Sequence, residues 1–226
     1  MDLTNITSED FETVAADIMN NYLLKAGETE FIICELEFYL KSDEHPDPYV
    51  HCDPDQLTVG KWYFHKRGGT YRGGTFKGID ISFGEGVYGG ILIRAMQPYG
   101  ATFVEGPCNC VHAIMRATGH QTVAALAGAI EAEPDYTVFD SEVLRLVHCT
   151  RRHYSPVIID PRNSTVYMSK RVGLNPTKAP VYAEAPYRYI TFPERIKKQR
   201  VDIRAGMREH HGLTDDEIKA LFEKRW

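Results

Sequence analysis

The sequence predicts an α+β fold: one mixed domain spanning residues 1–226, with a curved, mostly antiparallel sheet flanked by helices and a protruding basic β-hairpin. Three observations predict it. Runs of strong β-formers, joined by glycine turns, fill most of residues 31–98. Amphipathic helical spacing appears near both ends of the chain. No repeat, low-complexity tract or linker divides it, and 226 residues suffice to bury one sizeable core.

The elements follow in order. "SEDFETVAADIMNNYLLK" offers Ser8 as N-cap, acids in the first turn, and Phe11, Val14, Ala15, Ile18 and Tyr22 at helical spacing. "FIICELEFYL" is a strand. "QLTVGKWYFHK", "TYRGGTFKGIDISFG" and "YGGILIRAMQP" are further strands. "GPCNCVHAIMRATG" opens a helix with Pro107 at a first-turn position. Residues 121–134 read as helical or mixed. "YSPVIIDPRNSTVYMSKRVG" reads as two short strands about an Asp-Pro-Arg-Asn turn, and "YRYITF" as another strand. "LTDDEIKALFEKRW" is a final helix, with Thr214 and Glu217 in capping-box spacing.

Composition bounds the class. At 43% hydrophobic and 25% charged, the chain reads as an ordinary soluble globular protein. No apolar stretch approaches the roughly 20 residues of a membrane span. The acidic N-terminus resembles neither a secretory signal nor a transit peptide. Five cysteines in a chain of this size argue against a disulfide framework, so a reducing cytoplasmic or nuclear compartment is expected. The net charge of −5 hides an uneven distribution. Residues 1–47 hold twelve acids and two bases, whereas residues 60–77 hold five bases and no acid. The sum therefore does not exclude a nucleic-acid partner.

Two glutamates in an apolar run pose the functional question. On a strand of period two, Ile32, Cys34, Leu36, Phe38 and Leu40 share one wholly apolar face. Ile33, Glu35, Glu37 and Tyr39 share the other. That second face is either solvated or the wall of a cleft where a carboxylate serves as general base beside an aromatic platform.

At this point the residues resemble a family. "ELEFYL", the later His51, "GIDISFGEGVYGGILIRAMQP", "GPCNCVHAI" and "KRVGLNPTKAPVYAEAPYRYI" occur in the order and spacing of alkyladenine (3-methyladenine) DNA glycosylases of the mammalian type, over about residues 10 to 192. Residues 193–226 form a C-terminal helical extension beyond it. The resemblance implies that Glu37 activates a water which attacks the anomeric carbon of a flipped-out purine nucleotide, leaving an abasic site. It implies that Arg94 helps hold that water, that Tyr39 stacks on the base, that His51 stands on the same pocket wall, and that Arg171, Val172 and Gly173 line the site. Glu35 would support it. Duplex DNA is the implied partner, the protein monomeric, and no cofactor or metal is needed.

Two departures bear on substrate. The hairpin from Gly60 to Asp80 is longer than the family's. It puts His65 where a stacking tyrosine is expected, and Tyr71 as the wedge among Lys66, Arg67, Arg72 and Lys77, which suit phosphate contacts. Asp80 stands where the family has asparagine; ionised, it only accepts hydrogen bonds and favours a base edge that presents donors. A free nucleotide, nucleoside or RNA is the alternative substrate, and a non-catalytic binding module the third reading. Cys108, Cys110 and His112 in "CNCVH" lack the spacing of a zinc site and, on a helix, should point apart. The basic run "RIKKQRVDIR" reads as a solvated face.

Overall fold

The computed structural model describes residues 1–149 and 164–223. The chain is a mixed α+β single domain: a nine-stranded, mainly antiparallel open sheet and, among the described residues, six α-helices. In chain order these are α1 (Phe11–Asn21), β1 (Tyr22–Ala26), β2 (Thr29–Lys41), β3 (Val59–Phe64), β4 (Lys66–Arg67), β5 (Thr70–Tyr71), β6 (Ile79–Phe83), β7 (Tyr88–Pro98), β8 (Val104–Glu105), α2 (Pro107–Ala117), α3 (Val123–Glu131), β9 (Leu144–His148), β10 (Tyr167–Ser169), α4 (Pro180–Glu184), β11 (Arg188–Ile190), α5 (Arg200–His211) and α6 (Asp215–Phe222). The strand order is β10-β11-β2-β7-β6-β3, with β1 joining β2 to β9 and β8 pairing with β7. The short hairpin β4–β5 stands apart, its turn made by Gly68 and Gly69 at positive φ.

One face of the sheet carries the main core. Phe38, Leu36, Ile81, Ile91 and Ile93 pack there against Phe11, Ala15 and Ile18 of α1, Ile114 of α2 and Leu126 of α3. Phe11 and Phe38 stack with centroids 4.6 Å apart. A second cluster seats the C-terminal segment on the sheet: Ile203 and Met207 of α5 and Ile218 of α6 pack against Tyr167 and Ile190. Residues 193–223 are thus packed into the domain. Gly206 permits that approach, since a Cβ there would meet the Met168 carbonyl oxygen at 2.1 Å.

The helical pattern of α1, the long strands β2 and β7, Pro107 at the start of α2 and the Thr214–Glu217 capping box of α6 all form as the sequence predicts. Other details differ. Asp10, not Ser8, precedes α1, and its carboxylate accepts from the Thr7 backbone and hydroxyl at 2.9 and 2.8 Å. Tyr22 leaves the helix and begins β1. The basic run near residue 200 enters α5, whose inner stripe is Ile203 and Met207. The strand and turn expected over residues 154–163 lie outside the described residues.

The largest correction concerns β2. Strict alternation fails at Cys34. Ile33 pairs with Met96 and Leu36 with Ile93, but between them both strands are irregular: Glu35 pairs with Ala95, leaving Cys34 and Arg94 out of step. Both strands change phase there. Ile33 joins Leu36 and Phe38 in the main core, while Ile32 and Cys34 pass to a small cluster with Leu23, Ala95 and Cys149. The face apolar by alternation therefore meets the main core only from Leu36 onward, and before the irregularity Phe31 and Ile33 face it instead. The irregularity also brings Arg94 of β7 beside Glu35 and Glu37 of β2.

Candidate active site

A single cross-strand row builds the site. Directly opposed residues of antiparallel strands point to the same side of a sheet. Tyr63 on β3 opposes Asp80 on β6, which opposes Leu92 on β7, which opposes Glu37 on β2, which opposes Arg188 on β11. The row lies on the face away from the helical core. Asp80 and Glu37 therefore flank Leu92, two strand spacings or about 10 Å apart.

Glu37 is fully buried, so each oxygen needs a donor. Oε2 accepts from the Tyr39 hydroxyl at 2.8 Å and from Arg94 Nη1 at 3.3 Å; Oε1 accepts from the Val172 backbone N–H at 2.6 Å. Burial, and then the Glu37 charge, hold the Tyr39 phenol well above its usual pKa, so it remains a donor. Burial alone would lower Arg94, but the Glu37 and Glu35 carboxylates outweigh it and raise its pKa. Glu35 Oε1 in turn accepts from Arg94 Nε at 3.1 Å and Arg188 Nε at 2.7 Å. Arg171, also buried, pairs with Asp47 at 2.7 Å and lies over the Tyr39 ring at 4.6 Å. Within this network three carboxylates, Glu35, Glu37 and Asp47, face three guanidiniums, Arg94, Arg171 and Arg188, and a fourth buried carboxylate, Asp80, lies outside it beside His65.

Beside this network opens a cavity of about 160 Å³, lined by Tyr39, Tyr49, His51, Gln56, His65, Asp80, Leu92 and Leu174. A cavity of roughly 150 Å³ holds one benzene ring, so this one suits a single flat ring system whose remainder reaches solvent. A larger groove at residues 5–8, 40–45 and 85–88 lies elsewhere and includes none of these groups. Two glycines shape the inner wall. At Gly78 a Cβ would strike the His65 ring at 2.3 Å, and at Gly90 it would strike Asp80 Oδ2 at 2.7 Å. His65 Nε2 lies 2.8 Å from Asp80 Oδ1, and its ring meets that of His51 edge-on at 4.4 Å. His51 Nδ1 lies 3.2 Å from the Tyr63 hydroxyl. His51 stands at the rim with one side exposed. Desolvation of its inner edge, and then the neighbouring His65, hold its pKa down. Water on the outer edge screens part of that effect, and His51 is neutral at pH 7.

The expected residues thus separate into two groups. Tyr39, His51, His65 and Asp80 line the cavity, while Glu37, Arg94 and the Val172 backbone form the buried network that meets it through the Tyr39 hydroxyl. The hairpin bases do not form an open comb. Lys66 is ion-paired with Asp55 and sits over the Tyr71 ring, and Lys77 Nζ is bound to the Gly74 carbonyl at 2.8 Å. Arg72 is half-buried, its Nε at 3.4 Å from the Lys66 carbonyl. Arg67 is exposed. Tyr71 does not occupy the tip; it leans on Phe64 and bonds Glu131 at 3.2 Å. The exposed aromatic of this loop is Phe76, 69% accessible.

Several residues of the site escaped the sequence reading: Arg188, Gln56, Tyr49, Gly78 and Gly90. Arg188 carried a readable signal, an arginine inside the β-forming "YRYI", the same anomaly that marks Glu35 and Glu37. His45 bridges the Leu40 carbonyl and the Tyr187 hydroxyl at 2.9 and 3.0 Å, a structural role. Cys108 and Cys110 diverge on α2 as expected, but Cys108 Sγ approaches His112 Nδ1 at 3.9 Å. None of the five cysteines is in a disulfide. Among the described residues no group of three metal-ligating side chains gathers, and no helix is long and apolar enough to cross a membrane.

No protein-family model matches the chain. An uncharacterized protein of Acanthamoeba polyphaga mimivirus is 31% identical to it over 219 residues, which span 90% of this chain and 95% of that protein. At that identity and coverage, the chain belongs to the same family as the mimivirus protein.

Proposed function

We propose that the protein is an N-glycosidic hydrolase, a divergent DNA glycosylase that draws a modified purine into the cavity and excises it with a water activated by Glu37. The observation that carries this reading is the buried Glu37 carboxylate, held by Arg94, the Val172 N–H and Tyr39, the last of which lines a cavity of about 160 Å³. The order of motifs shared with alkyladenine DNA glycosylases supports it. With the base in the cavity, the sugar faces Glu37. Water oxygen bonds to the anomeric carbon as the C–N bond breaks. The water proton passes to Glu37, and the base departs with the bonding pair. The carboxylate also stabilises the positive charge that develops on the sugar. Extruding the base costs a few kcal/mol, less for a damaged one, which supplies part of the selectivity.

The test is release of base from labelled duplexes containing 1,N6-ethenoadenine, hypoxanthine or 3-methyladenine, read as alkali-labile abasic sites. Wild type should act on at least one, and Glu37→Gln should lose at least 100-fold in rate. Absence of release from every duplex, with the protein folded, refutes the duplex reading.

One observation favours a smaller substrate. Lys66, Lys77 and Tyr71 of the hairpin are all bound internally, leaving Arg67 and Phe76 as its exposed charged and aromatic side chains. A free nucleoside or nucleotide needs no phosphate-tracking surface. Salt separates the two: duplex binding weakens with a log–log slope of about −0.9 per phosphate neutralised, whereas binding of a nucleoside hardly changes.

A further inference from the structure

The inner wall of the cavity carries its own hydrogen-bond code. Asp80 is only 2% exposed and Gln56 only 1%. With the proton on His65 Nε2, His65 donates to Asp80 Oδ1 and fixes the carboxylate. Gln56 Oε1 is fixed by the Asp53 backbone N–H at 3.2 Å. That leaves Asp80 Oδ2 as acceptor and Gln56 Nε2 as donor, neither with a hydrogen-bond partner among the described residues. Both residues line the cavity, and both free atoms flank one point above Gly90, at 2.7 and 3.0 Å from where a Cβ would stand. The missing side chain at Gly90 opens the space in front of them.

We propose that the cavity selects a base whose edge presents an N–H donor beside an acceptor, as hypoxanthine does with N1–H and O6. The donor would bond Asp80 Oδ2 and the acceptor would receive Gln56 Nε2. The inference deepens the base-excision reading and rests on it for the occupant being a nucleobase. Its consequence is an exclusion. In 1,N6-ethenoadenine and 1-methylhypoxanthine the donor is bridged or alkylated. Either base would leave Asp80 Oδ2 desolvated and unpaired, which costs more than a missing contact. Sites built to bond a polar group reject analogues lacking it far more strongly than apolar pockets reject a size change.

The experiment is equilibrium binding of free hypoxanthine, 1-methylhypoxanthine and 1,N6-ethenoadenine to the full chain, with duplex excision measured in parallel. Hypoxanthine should bind at least tenfold tighter than the other two. Asp80→Asn, which can turn a donor into the cavity, should erase that preference, and Gln56→Leu should weaken hypoxanthine alone; circular dichroism confirms that each variant folds. Equal affinity for the three bases, or an unchanged preference in Asp80→Asn, overturns the inference. Excision without edge preference overturns it while leaving the glycosylase reading intact. Neither binding nor excision by folded wild type overturns both.

Discussion

Removing the charge of Glu35 should cost the protein much of its stability without touching the cavity. Glu35 is 1% exposed, and its Oε1 serves two buried guanidiniums, Arg94 and Arg188. In Glu35→Gln the amide keeps the shape but not the charge, so three buried arginines face two carboxylates. Arg188 suffers most. It is fully buried, and among the described residues its Nη1 has no hydrogen-bond partner and its remaining bond is a 3.5 Å contact from Nη2 to the Lys198 carbonyl. Breaking a buried ion pair from one side costs about 3–5 kcal/mol. Against a total stability of about 5–15 kcal/mol this is a large share. For a chain of this size it corresponds to a fall in Tm of roughly 6–20 °C, at about 2–4 °C per kcal/mol. Urea unfolding is the assay. The midpoint should fall with m unchanged, since the surface exposed on unfolding is the same. The double variant Glu35→Gln/Arg188→Met should recover part of the loss, because it removes the uncompensated charge. A loss below about 1 kcal/mol in the single variant, the range of exposed pairs, would refute the claim that Glu35 holds a desolvated network.

Other outcomes follow from the same geometry. Gly90→Ala should abolish base binding while the protein stays folded by circular dichroism, because the new Cβ would stand 2.7 Å from Asp80 Oδ2. In native protein a thiol reagent should modify the half-buried Cys52 and Cys108, and reach Cys34 and Cys110 only on unfolding, since burial raises both of those thiols. The His51 pKa is lower in the folded than in the unfolded chain. The unfolded state therefore binds more protons as pH falls through the unfolded value near 6.5, and stability drops there. His51→Gln should flatten that part of a Tm-against-pH curve, with His112 and His211, shifted the same way, supplying the residual slope. Thr214→Ala removes the capping-box bond to the Glu217 N–H at 3.3 Å and should cost about 1 kcal/mol, read by thermal melting.

How much of this was legible depends on range. The stripe of α1, the alternation of β7, Pro107 and the α6 cap are local patterns, and they form as written. The double irregularity at Cys34 and Arg94 is not local. "ICELEF" alternates smoothly, and only its partner "LIRAM" shows that two strands must slip together to bury Ile33 and Met96 on one side while bringing Glu35 to Arg94. Tyr22 continued a helical period and so concealed the start of β1. Helix α5 hid behind its charge, because only Ile203 and Met207 mark its inner side. Glu37, Tyr39 and Arg94 stood out as polar groups among β-formers. Gln56, Gly78 and Gly90 did not, because a glutamine in a turn and glycines in hairpins have ordinary reasons to be there. Only register reveals that they shape one wall.

The row Tyr63–Asp80–Leu92–Glu37–Arg188 also ties the site to the completion of the fold. Four strands of the N-terminal half supply Tyr63, Asp80, Leu92 and Glu37. Those strands alone would leave Glu37 Oε1 without a donor and Glu35 with one guanidinium. The missing partners, the Val172 N–H and Arg188, arrive from beyond residue 163, in the loop after β10 and on β11. That segment is held against the sheet by Ile203, Met207 and Ile218 of the last two helices. A buried carboxylate is tolerable only when its donors are in place. The catalytic group proposed here and the cooperative docking of the C-terminal segment are therefore the same physical event. That accounts for three arginines committed to a region where apolar side chains would have packed at less cost.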